Sequence, residues 1–213
     1  MQVRKILWLD TETSGTDALI HSIIEIAGII DIDGKVVEQF DFKVRPHLDF
    51  EIDEATCAIH GYSVSDMISF PDIPYVHSAL KKLWEKYVDK FNKEDKFLIG
   101  GQNCKFDLSF LSQFFVRQKD VFLGSYIDYR KRVELYDITN AMRSLGFIKS
   151  DSLSLAPLCK EFCIDLNAHN ALSDITATRE LYYTIINNLE WKWRGNEKPN
   201  TQKAGAPSKK LHT

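Results

Sequence analysis

Five residues in three separated clusters carry the chemistry of this chain: Asp10 and Glu12 in LDTET, Asp107 in NCKFD, and His169 with Asp174 in HNALSD. Four carboxylates and one imidazole can hold two divalent metal ions and activate a water for attack on a phosphodiester. Each cluster alone has an ordinary explanation. An isolated DxE is a polar strand end, Asp107 and Asp174 are first-turn acids that a helix dipole favours, and a loop histidine faces solvent. Together they are harder to dismiss, because each cluster sits on the element its chemistry requires. Asp10 and Glu12, two apart at a strand end, leave the same face of a sheet. Asp107 lies one turn into a helix that Asn103 is placed to cap. His169 precedes the helix that carries Asp174, so a loop-borne base would accompany a helix-borne ligand. Hard cations choose carboxylate oxygens, which suits an all-Asp/Glu ligand set.

The elements that must position these residues follow from the hydrophobic pattern. Lys5 to Leu9 predicts a strand covered on both faces. Ile23 to Ile32 and Val36 to Val44, joined at Asp33-Gly34, predict a hairpin that completes an antiparallel meander. Helical spacing runs from about Asp53 to Ile59 with Gly61 as C-cap, and then from Ile73 to Phe91. A short strand at Phe97 to Ile99 leads into a helix from Lys105 to Gln118. A fifth strand is expected at Ser125 to Asp128, followed by helices at Tyr136–Leu145, Leu153–Phe162 and Ala171–Leu189. A meander followed by alternating strands and helices indicates an α/β domain with a mixed sheet.

The chain has 213 residues, 44% apolar and 27% charged, with a net charge of −3. That length suits one domain with a real core. From Trp191 to Thr213 there are six Lys or Arg and one Glu, a tail of +5 that leaves the body at −8. An acidic body that handles an acidic polymer needs cations to mediate the contact. Residues 1–190 are therefore expected to form the domain and 191–213 a basic, flexible tail, suited to attaching nucleic acid or docking a partner. The four cysteines lack zinc-site spacing, and Cys159 and Cys163 are expected to face the core as free thiols. Asp10 and Glu12 interrupt the apolar run KILWL, so it is not a signal peptide, and no run is long enough to span a membrane. The expected location is cytoplasmic.

LDTETSG, the HG of CAIHGYS, NCKFDLSFL and HNALSDITATREL together resemble the DEDDh family of 3′→5′ exonucleases, over roughly Lys5 to Leu189 and in the right order. The resemblance implies a ribonuclease-H-like α/β fold: a five-stranded mixed sheet, a three-strand antiparallel meander plus parallel strands, flanked by helices. It implies Asp10, Glu12, Asp107 and Asp174 as ligands of two Mg²⁺ or Mn²⁺ ions and His169 as general base. Thr11, Thr13 and Ser14 fall where the family contacts the terminal nucleotide. His60 and Phe106 are candidate flanks for the last bases, because aromatic stacking tolerates any sequence. Asn103 is a cap that could also reach a ligand.

The expected activity is release of nucleoside 5′-monophosphates from single-stranded 3′ ends. DNA is favoured, because TETSG and the HG segment look more like the proofreading branch. RNA trimming is the alternative, and a non-catalytic scaffold for a polymerase or replisome partner is a reading of another class. His169 must be neutral to accept a proton, so activity is expected to rise through the neutral-to-alkaline range.

Overall fold

Strand β1 (Lys5–Thr13) lies at the centre of the fold because its side chains are apolar on both faces: Ile6, Leu7 and Trp8 are fully buried. The structure is a computed structural model that describes residues 4–47, 49, 51–167 and 170–193, with only the backbone over 190–193. β1 pairs antiparallel with β2 (Ile23–Ile32), which pairs antiparallel with β3 (Lys35–Lys43). On its other side β1 pairs in parallel with β4 (Phe97–Gly101), and β4 with β5 (Ile127–Glu134). The result is a five-stranded mixed sheet of order β3-β2-β1-β4-β5.

The expected meander, the expected parallel strands and the ribonuclease-H-like arrangement are all present. The hairpin turns where Asp33 has φ 51° and Gly34 φ 86°, the paired left-handed residues of a two-residue turn.

Alternation along β1 decides which helix covers which face. Ile6 and Trp8 pack with Ile29 and with Ile175 of α7 (Ala171–Trp193), where the Trp8 ring meets Tyr182 at 5.2 Å. Leu7 and Leu9 turn the other way, into the core formed with α3 (Ile73–Trp84) and α4 (Cys104–Arg117). A third apolar cluster joins α7 to α5 (Leu135–Ser144) and α6 (Leu155–Phe162) through Leu135, Leu158, Leu181 and Ile185. Helices α1 (Glu54–His60) and α2 (Val64–Ser69) bridge β3 and α3.

Helix α7 is also tied to the hairpin by a buried ion pair. Arg179 Nε donates to Asp31 Oδ2 at 2.9 Å, its Nη2 donates to the Gly34 carbonyl at 2.9 Å, and Tyr183 Oη donates to the same Asp31 oxygen at 2.9 Å. Asp31 is fully buried, and the Gly34 N–H satisfies its other oxygen at 2.7 Å. A buried charge with this many partners costs little while all are present and much when one is removed.

Several boundaries differ from the sequence expectation, each for a local reason. β1 runs on to Thr13, because β2 continues to pair with it as far as Ile23. α2 was not expected; a capping box between Ser63 and Asp66 closes its first turn. α3 stops at Trp84 rather than Phe91, and the carbonyl of Tyr87 beyond it accepts from Lys5 Nζ at 2.6 Å. β5 runs from Ile127 to Glu134 rather than from Ser125 to Asp128 and takes in the cations Arg130, Lys131 and Arg132. Cys159 is buried as expected, but Cys163 is exposed, because it sits past the end of α6 at φ 55° and the backbone turns it outward. α7 continues through Trp193; the remainder of the expected tail lies outside the described residues.

Candidate active site

Asp10 and Glu12 share the parity of Ile6 and Trp8, so they emerge on the α7 face of the sheet one step beyond the buried Trp8. The start of α7 reaches that same place. Asn170 Oδ1 caps it by accepting from the Ser173 N–H at 2.9 Å, and Asp174 falls in the first turn. Ligand oxygens of Asp10, Glu12 and Asp174 all lie within 4.8 Å of one another.

Thr11 has the opposite parity and points toward α4. Its Oγ1 donates to Asp107 Oδ1 at 2.8 Å. Asp107 is 4% exposed and sits in the first turn of α4, close enough to Asp10 to be the strongest charged influence on it. The structure thus gathers Asp10, Glu12 and Asp174 into one group. Asp107 stands beside Asp10 with its carboxylate held by Thr11.

The electrostatics follow from four acids in one place. Burial, then repulsion from Asp107, Glu12, Asp174 and Glu25, pushes Asp10 well above the usual carboxylate range. Glu12 is pushed up to about 7, by burial first and by Glu25 and Asp174 next, with Lys43 opposing. Burial also pushes Asp107 up to about 7, against the hydrogen bonds from Thr11. Among the described residues no Lys or Arg forms a salt bridge with Asp10, Glu12 or Asp107. Hard oxygens converging from several carboxylates fit a bound divalent cation.

Two acids beside this cluster were not singled out in the sequence. Glu25, fully buried on β2, is the direct cross-strand partner of Glu12. Its signal was an acid inside the otherwise apolar run IIEIAGII. Glu134, at the end of β5, accepts the Cys104 N–H on Oε2 at 2.9 Å and so caps α4 in place of Asn103. Asn103 occupies the N-cap position, but its side chain makes no cap hydrogen bond.

The residues expected to meet substrate are mostly committed to the fold. Thr13 Oγ1 donates to the Gly15 carbonyl at 2.6 Å. Ser14 is fully buried, donates to the Glu51 carbonyl at 2.8 Å and accepts the Ser22 N–H at 2.9 Å. Phe106 packs at 4.8 Å from Phe110 against the α3–α4 core. His60, at the end of α1, is 7% exposed; its Nδ1 accepts the Tyr62 N–H at 3.1 Å. His169 lies outside the described residues.

The mixed sheet in this order is ribonuclease-H-like, and acids converge at the end of its central strand. The family model described as Exonuclease, of the RNase T type, matches residues 7–182, and the chain belongs to that family. A DNA polymerase III PolC-type from Oceanobacillus iheyensis is 27% identical over 183 residues, which cover 84% of this chain and 11% of the polymerase. Solved structures of E. coli exonuclease I share the fold. Its complex with a dT13 oligonucleotide gives a TM-score of 0.74 at 20% identity, over 90% of this chain and 43% of that one. The zinc-bound form of the complex with single-stranded DNA gives 0.76 at 22% identity, over 91% and 43%. The chain spans about a tenth of the polymerase and somewhat under half of exonuclease I.

No helix among the described residues is long and apolar enough to cross a membrane.

Proposed function

We propose that the chain is a metal-dependent 3′→5′ exonuclease that removes nucleoside 5′-monophosphates from single-stranded ends, with DNA the favoured substrate. The observation that carries the reading is the group formed by Asp10, Glu12 and Asp174, with ligand oxygens within 4.8 Å of one another and Asp107 alongside. Asp10, Glu12, Asp107 and Asp174 would hold two Mg²⁺ or Mn²⁺ ions. Such ions supply Lewis-acid activation of water and charge stabilisation at the scissile phosphate.

The protein's own part is to bring four carboxylates to one point, to keep Asp107 oriented through Thr11, and to hold the terminal nucleotide near His60 and Phe106. His169 accepts the proton of the attacking water in this reading. DNA is favoured because the exonuclease I neighbours include complexes with single-stranded DNA and the PolC-type relative is a DNA polymerase. A polymerase or replisome component is the corresponding partner, and the basic 191–213 segment is a candidate for docking it.

The test is digestion of matched 3′-end-labelled DNA and RNA, single- and double-stranded, with Mg²⁺ or Mn²⁺ and with chelator. Stepwise loss from the 3′ end of single-stranded DNA that stops on chelation is expected. Internal fragments, or no hydrolysis with either metal, would overturn the reading. His169→Ala is expected to cut turnover strongly while metal binding persists, and unchanged hydrolysis by that variant would remove the base from the mechanism.

A further inference from the structure

Glu12, Glu25 and Lys43 form one row across three strands, because Glu12 pairs directly with Glu25 and Glu25 directly with Lys43. Glu25 is fully buried, and both its oxygens are engaged. Lys43 Nζ lies 2.7 Å from Oε1, and Tyr62 Oη donates to Oε2 at 2.8 Å. The Lys43 ammonium also sits 5.0 Å from the centre of the Tyr62 ring, and Asp41 lies 3.4 Å from it. An apolar residue at position 25 would continue the strand's pattern at no desolvation cost, so the buried acid is not explained by packing. Its partners show what it holds. Tyr62 is two residues beyond His60, and the two rings stack at 5.3 Å and 29°.

Because His60 Nδ1 accepts the Tyr62 N–H, the proton of the neutral ring belongs on Nε2. That Nε2 is buried with no hydrogen-bond partner among the described residues. A buried donor left open in this way is suited to a ligand acceptor. Phe70 closes the other side of Tyr62 with an edge contact at 5.2 Å.

We propose that Tyr62 is a positioning residue: fixed by Glu25 and Lys43, it sets the His60 ring and its open N–H donor relative to Glu12, and so governs binding of the terminal nucleotide rather than bond cleavage. The inference rests on the exonuclease reading and adds to it a device that links substrate affinity to the strand carrying Glu12. Networks of buried polar groups of this kind fix geometry when every member is satisfied.

The experiment compares wild type with Tyr62→Phe, Lys43→Met and Lys43→Arg in the full chain. One readout is steady-state hydrolysis of a single-stranded oligodeoxynucleotide with Mg²⁺. The other is anisotropy of the same labelled oligonucleotide with Ca²⁺, which reports binding without turnover. Tyr62→Phe, which removes only the hydroxyl, is expected to raise KM and weaken binding by about tenfold, with kcat within about twofold of wild type. Lys43→Met is expected to act in the same direction and Lys43→Arg to restore affinity.

Wild-type KM and affinity in Tyr62→Phe, or a fall in kcat at unchanged KM, would overturn the inference while leaving the exonuclease reading intact. A wild type that neither binds nor hydrolyses the oligonucleotide would overturn both.

Discussion

Thr11 Oγ1 donates to Asp107 Oδ1 at 2.8 Å across 96 residues of sequence, joining the central strand to the first turn of α4. Thr11 sits between Asp10 and Glu12 on β1 but faces the opposite side of the sheet. The strand that presents two acids on one face therefore steers a third acid from the other.

Thr11→Val keeps the shape of the side chain and removes its donor. A hydrogen bond to a charged group contributes about 2 kcal/mol, so activity is expected to fall by about tenfold or more. The Mg²⁺ concentration for half-maximal activity should rise as well. A metal titration of hydrolysis checks both, and an unchanged metal requirement would count against Asp107 as a ligand.

Asp10→Asn should separate stability from activity. With Asp10 a ligand in the proposed mechanism, its loss is expected to cut turnover by about a thousandfold, the scale seen when one preorganised charge-stabilising group is removed. In chelator the same variant should melt higher than wild type, because Asp10 is repelled by Asp107, Glu12, Asp174 and Glu25. Thermal denaturation with and without metal measures this, and a lower melting point in chelator contradicts it.

The metal-free protein should lose stability as pH rises. Glu12 and Asp107 move from ordinary values of 4.5 and 3.8 up to about 7 in the folded state. Between those values the unfolded chain has released protons that the folded chain still binds, so unfolding becomes easier with rising pH. The decline is expected to span roughly pH 4 to 7 and to level off above it. Mg²⁺ or Mn²⁺ should flatten the upper part of that decline by binding the ionised cluster. Chemical denaturation across this range checks the slope.

Arg179→Met leaves Asp31 buried without its cation. Breaking a buried pair from one side costs about 3 kcal/mol or more. Arg179→Met combined with Asp31→Asn should recover part of the loss, because the stranded charge is then gone. Urea midpoints of the single and double variants give the coupling directly.

Legibility in the sequence followed the strength of the local pattern. β2 could be read because nine of its ten residues are buried and β-branched residues fill it. The hairpin could be read because Asp33-Gly34 supplies the left-handed backbone that its turn needs. β5 could not be bounded, because its register slips between Phe97 and Ile99 and its exposed Arg130 to Arg132 carry no apolar signal; pairing with β4 makes them a strand. α2 has only six residues, too few to show a period.

At the site, Asp10, Glu12 and Asp174 were legible because side-chain parity and a helix start set their directions. Glu134 was not, since its role as the cap of α4 comes from a contact 30 residues away in sequence. The commitment of the Ser14 hydroxyl to Glu51 and Ser22 was hidden for the same reason.

The latch of Arg179 and Tyr183 onto Asp31 has a consequence for synthesis. β1 leaves the ribosome well before α7, yet Asp10 and Asp174 must meet for the acid cluster to exist. A nascent chain that has not yet extruded α7 lacks both Asp174 and the clasp that would seat it. The acid cluster is thus incomplete until α7 has been made and has closed on the β2–β3 hairpin.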